Sequence, residues 1–170
     1  MPPCLTSYVL TDRDETAIRK FIDLYVDAAA ADEVLKDSDL MFQPSDPALL
    51  NDDSAYAWEP AKGLENAIHR GLKDPAAGFA LYVPPSQGDG HATIGFTLDG
   101  NIVLGVEVDD PMNEPGPLRQ AKKFLNELLE TFDTDQGFIC VEDPPPMTVA
   151  QFQQASQDSK DRMKFLGTGL

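Results

Sequence analysis

Basic residues are scarce in this chain: 13 Lys and Arg stand against 29 Asp and Glu, a formal net charge of −16. A surface of that sign repels phosphate backbones and anionic lipid. The expectation is therefore no nucleic acid and no membrane as partner, and a protein with a basic surface as the partner that charge favours. Cysteine is nearly as scarce. Cys4 and Cys140 are the only two, with neither CxxC spacing nor a framework, which excludes a disulfide scaffold and suits a reducing cytoplasm. Cys140, inside Gly-Phe-Ile-Cys-Val, reads as a small buried hydrophobe. Two histidines, His69 and His91, are too few for a multi-histidine metal site, and each reads as a surface or turn residue. No apolar run approaches the roughly 18 residues needed to cross a bilayer. The start, MPPCLTSYVLTDRDE, has no basic region before a hydrophobic core, so neither signal peptide nor anchor is expected.

Catalytic signatures are also missing. There is no G-x-S-x-G elbow, and Gly88-Asp-Gly-His91 leads into a strand while carrying an anion, so it reads as a hairpin turn rather than a phosphate loop. Asp133-Thr-Asp135-Gln-Gly137 with Glu142 has the wrong spacing for a calcium loop and reads as a helix end and turn. No cofactor and no metal are expected.

What is present is an ordinary globular pattern in 170 residues, enough for one domain around one core. Ser7 to Leu10 is a short strand candidate. Thr11 with Asp14 resembles a capping box, opening a helix whose Ile18, Phe21, Ile22, Tyr25 and Val26 form one stripe and which runs on to the alanines at 28 to 31. From 32 to 60 the pattern weakens, and this segment is expected as a long acidic loop, uncommon in a compact domain and therefore a functional candidate. A helix over Gly63 to Lys73 ends at Asp74-Pro75.

Three β-rich runs follow, Phe79 to Val83, Ala92 to Leu98 and Ile102 to Val108, the last two joined by Asp99-Gly100, a strong hairpin signal. They predict an antiparallel meander with one buried and one half-covered face. Pro117 opens a helix with Leu118, Ala121, Leu125, Leu128, Leu129 and Phe132 on one side. A further strand, Phe138 to Val141, extends the meander region, and a polar helix spans Thr148 to about Phe165 with Val149, Phe152, Met163 and Phe165 as its apolar residues. The fold class is therefore α+β: an antiparallel sheet of about four to five strands with a βββαβ core and helices packed on one face.

Acidic pairs recur through the connections, among them Asp32-Glu33, Asp37 with Asp39, Asp52-Asp53, Asp109-Asp110 and Glu142-Asp143. Solubility is one reason for such charge. Complementarity to a basic cleft is the other, since it speeds association. The acidic loop also carries Tyr56 and the only tryptophan, Trp58, beside Glu59. Aromatic anchors within a charged rim are what interface hot spots look like, whereas the plain alternative is that Trp58 packs loop onto core. Glu107, Asp109 and Asp110, with Glu114, could instead chelate a divalent cation at a sheet edge, or simply form a solvated edge.

The segments Ala92-Thr-Ile-Gly-Phe-Thr-Leu-Asp-Gly-Asn-Ile-Val-Leu-Gly-Val-Glu-Val-Asp-Asp, the amphipathic helix from Leu118, and Gly137-Phe-Ile-Cys-Val-Glu-Asp-Pro-Pro-Pro resemble bacterial immunity proteins of polymorphic toxin systems. The resemblance covers residues 78 to 146 and implies a small, acidic, cytoplasmic α+β protein that neutralises a cognate toxin without being an enzyme. It carries no residue across by position. On charge and aromatic arguments alone, Asp37, Asp39, Asp52, Asp53, Tyr56, Trp58, Glu59, Glu107, Asp109 and Asp110 are the candidate contacts. In size, acidity and mixed element order the chain also resembles type III secretion chaperones, which are dimers that hold an extended partner segment. A small metal-dependent hydrolase using Glu107, Asp109 and Asp110 is the third reading.

Overall fold

The computed structural model describes residues 4–109 and 115–165. It opens with a strand, β1 (Cys4–Asp12), and two helices, α1 (Glu15–Tyr25) and α2 (Ala28–Lys36). Ile18, Phe21 and Ile22 are buried on the expected stripe of α1. Two boundaries differ from expectation. Asp14, not Thr11, caps α1 by accepting from the Thr16 N–H, while Thr11 stays in β1. Nor does α1 run into the alanines. Val26 is extended and bridges Pro85, the Asp27 N–H donates to the Pro84 carbonyl at 3.1 Å, and the Asp27 carboxylate caps α2 at the Ala30 N–H. A short carboxylate that satisfies an orphan N–H makes two capped helices preferable to one long one here.

The segment 32–60 is a larger correction, because it is not one long loop. α2 occupies it to Lys36. It then forms β2 (Asp39–Phe42), two short 3-10 turns at Pro47–Leu49 and Asp53–Ala55, and β3 (Ala57–Pro60), with β2 and β3 paired antiparallel in a sheet of their own. Helix α3 (Leu64–Lys73) follows, close to its expected span.

The meander is present as β4 (Phe79–Val83), β5 (Ala92–Phe96) and β6 (Asn101–Asp109). Gly100 takes φ 87° in the turn between the last two, a conformation that costs glycine little. Then come α4 (Pro115–Thr131), β7 (Gly137–Val141) and α5 (Val149–Phe165). The five-stranded antiparallel sheet has the order β4-β5-β6-β1-β7. Strand β1 is central, paired along its full length with β6 from Cys4 opposite Asp109 to Asp12 opposite Asn101. Strand β7 pairs with β1 instead of extending the meander.

The fold class is α+β, with helices packed on the sheet. One face is closed by α1 to α4: Ile18 and Phe21, Ala31 and Leu35, Leu64 and Ile68, and Ala121, Leu125 and Leu128 share a core with Val9, Phe79, Ile94, Phe96, Ile102 and Leu104. Across the sheet, α5 forms a second, smaller layer. Its Phe152 joins Tyr8, Leu10, Val103, Phe138 and Cys140, with the Phe138 and Phe152 rings edge to face at 4.9 Å. The face expected as half-covered is closed over this stretch. Gly105, opposite Tyr8 in the register, makes room for the tyrosine: a Cβ at that position would lie 2.5 Å from the ring. No helix among the described residues is long and apolar enough to cross a membrane.

Candidate functional site

The β2–β3 hairpin has two faces, fixed by its register. Leu40 faces Glu59 and Phe42 faces Ala57 on the inner side, while Asp39 faces Pro60 and Met41 faces Trp58 on the outer side. Leu40 and Phe42 are buried, and the Phe42 ring meets Phe79 of β4 at 4.9 Å. Arg70 of α3 completes the inner side. Its guanidinium lies 4.6 Å from the Phe42 centroid and reaches both carboxylate oxygens of Glu59, at 2.9 Å and 3.4 Å. That hydrogen bonding holds the Glu59 carboxyl below the usual carboxylate range. Glu59, a candidate contact from sequence, is therefore engaged within the molecule.

On the outer side, Trp58 is 61% exposed and Met41, directly opposite, 42% exposed. Of the two readings open for Trp58, packing of loop onto core does not describe it. An indole and a thioether side by side at the surface, with the exposed Asp39 one step along the same face, form an apolar patch with an acidic margin.

Among the other acidic candidates of this region, Asp52 has local structural work. It accepts from both the N–H and the hydroxyl of Ser54, at 3.0 Å and 2.6 Å, which places its carboxyl below the ordinary range. The Tyr56 hydroxyl donates to the Leu50 carbonyl at 3.0 Å, closing the turn between β2 and β3. Tyr56 is thus half-buried and serves the loop, not the outer patch. Asp37 and Asp53 are exposed, Asp37 just past the C-terminus of α2 and Asp53 in the second 3-10 turn.

Glu107 and Asp109 lie elsewhere, on β6 of the five-stranded sheet, and Asp110 falls outside the described residues, as does Glu114. Alternation puts Glu107 and Asp109 on one face. Register adds a residue that sequence reasoning did not place there: Cys4, opposite Asp109 in β1, with its thiol 3.5 Å from the Asp109 carboxylate. Donor atoms of Cys4, Glu107 and Asp109 all lie within 4.8 Å of one another. Burial first, then the two carboxylates, push the Cys4 thiol up to about 12. His91 Nδ1 sits 3.4 Å from Glu107, and the exposed Tyr82 ring lies edge-on to His91. This corner sets one thiol beside two carboxylates and an imidazole, with the thiol donating to Asp109. The two acidic groups thus belong to different sheets and form two separate surfaces.

Sequence reasoning missed Met41 and Arg70. Met41 carries no signal without the register, and Arg70 sits in a helix whose relation to the hairpin is a tertiary fact. Comparison with protein-family models, with curated proteins and with solved structures finds no match.

Proposed function

We propose that this chain is a non-enzymatic inhibitor of a basic protein, an immunity protein that covers the cleft of a cognate toxin, and that the outer face of the β2–β3 hairpin is its contact surface. The observation that carries the reading is Trp58, 61% exposed beside Met41, on a molecule of net charge −16. Each Å² of apolar surface left in water forfeits about 25 cal/mol of burial, and tryptophan is enriched among the residues that anchor interfaces. The surrounding acidity supplies long-range attraction to a basic cleft, and the apolar pair supplies the short-range anchor.

The test uses the tagged chain to capture a partner from lysate of its own host, with washes at low and high salt. The captured protein is then expressed in cells alone and together with this chain. A folded basic partner that leaves as salt rises, and whose growth arrest is relieved by co-expression, is the expected result. An extended, unfolded partner held by a dimer of this chain would contradict it and point to a chaperone.

A further inference from the structure

The two faces of the β2–β3 hairpin carry the same diagonal pair of side chains. On the inner face the aromatic is Phe42 and the acid is Glu59, which sits across the ladder and two positions along, opposite Leu40. On the outer face the aromatic is Trp58 and the acid is Asp39, again across the ladder and two positions along, opposite Pro60. Turning the hairpin over exchanges left and right, and the strands that carry aromatic and acid are exchanged as well. Seen from outside, each pair therefore has the same sense. Diagonal positions of an antiparallel ladder are about 7–8 Å apart, within the span of one long side chain.

The inner pair is filled by an arginine, Arg70, stacked on the ring and forked onto the carboxylate. Among the described residues no cation lies over Trp58 and none pairs with Asp39. We propose that the outer face is a receptor for one arginine side chain of a basic partner, its guanidinium stacked on the Trp58 indole and hydrogen-bonded to the Asp39 carboxylate. This rests on the proposed inhibitor reading and names the chemistry that its contact surface takes.

The chemistry favours arginine over lysine. A planar guanidinium can stack on a ring and present a fork to a carboxylate at once, whereas an ammonium is a compact, strongly hydrated point charge. Indole is the best of the ring faces for a cation. Met41 flanks the indole and Pro60 lies opposite Asp39, so the aliphatic stem of the arginine also has apolar surface to cover.

The chain has a single tryptophan, so its intrinsic emission reports this position alone. Tetra-arginine amide and tetra-lysine amide are titrated against the full chain at low salt while that emission is followed. The same titrations are run on Asp39→Asn and, as a matched loss of one charge far from the hairpin, on Asp135→Asn, with circular dichroism confirming that each variant folds. The expected result is a saturable change in emission, with tetra-arginine tighter than tetra-lysine by about three- to tenfold. Asp39→Asn should weaken tetra-arginine by a similar factor, and Asp135→Asn much less. Equal affinities for the two peptides with equal losses in both variants would mean unspecific attraction to an acidic surface and would overturn the proposal. An unchanged emission would overturn it too. Either failure is distinct from that of the inhibitor reading, which fails if the captured partner is an extended, unfolded chain or if co-expression does not relieve its growth arrest.

Discussion

At the scale of single residues, the most heavily used side chain is Arg13, in the turn between β1 and α1. All five of its N–H groups have backbone acceptors: Asn101, Gly71, Asp74, Ala77 and Thr97. Its guanidinium also stacks 5.3 Å from the Phe96 centroid. One side chain thereby ties the end of α3 and the entry to β4 to the β5–β6 hairpin, and a cation at the C-terminus of α3 also suits the helix dipole. Arg13→Ala should cost about 3 kcal/mol, because hydrogen bonds from a charged donor are among the stronger ones and the carbonyls left behind are partly shielded from water. Arg13→Lys should restore little of it, since three donors on a flexible stem cannot serve five carbonyls. Thermal melting checks both. A second residue-scale prediction concerns Cys4. Its thiol is raised from 9.0 to about 12 in the folded state, so stability is full below pH 9 and is lost as pH rises from there toward 12. Cys4→Ser should flatten part of that alkaline loss in denaturant titrations. At pH 8 the thiol of the folded wild type should react with iodoacetamide at least about tenfold more slowly than that of the unfolded chain, as expected when the thiolate is suppressed.

At the scale of elements, hairpin β2–β3 is held to the body largely from one side, through Phe42, Leu40 and the Arg70 clamp. Arg70→Ala should speed amide hydrogen exchange in Asp39–Phe42 and Ala57–Glu59 while leaving β1 and β6 protected, because it loosens a local unit and not the main sheet. Slowed or unchanged exchange there would show that the clamp does not hold the hairpin. Removing the Asp27 cap with Asp27→Ala should cost about 1 kcal/mol, read as a lowering of Tm by about 2–4 °C. The elements that the sequence made legible are those with long periodicity: the stripe of α1, the alternation in β6, the Asp99-Gly100 turn and the apolar side of α4. Strands β2 and β3 were not legible because four residues are too few for a period to stand out, and every residue of β3 is exposed. The break at Val26 was hidden because the apolar stripe and the alanines favour helix on both sides, while the deciding contact, with Pro84 and Pro85, comes from a segment some sixty residues away.

At the scale of the whole molecule, the central place of β1 is the feature that local reading could not supply. Ser7 to Leu10 reads as a short strand, yet pairing with β6 on one side and β7 on the other lengthens it to nine residues. That non-local pairing also brings Cys4 to Glu107 and Asp109, in a sheet other than the hairpin's. The proposed surface was half legible: composition and the lone tryptophan singled out the segment, but which of its acids cap a turn (Asp52), pair internally (Glu59) or share the outer face with Trp58 (Asp39) depends on the folded structure. Charge is the other whole-molecule property. With −16 net, association with a basic partner should be fast at low salt and slow markedly as salt rises, while dissociation responds to the anchor. The most direct test of a Trp58-anchored, charge-steered contact is therefore the association and dissociation rates of wild type and Trp58→Ala with the captured basic partner at low and at physiological salt. Wild-type association should fall with salt, and Trp58→Ala should dissociate about tenfold or more faster with little change in association. Salt-independent association together with an unaltered dissociation rate in Trp58→Ala would contradict both halves of that mechanism.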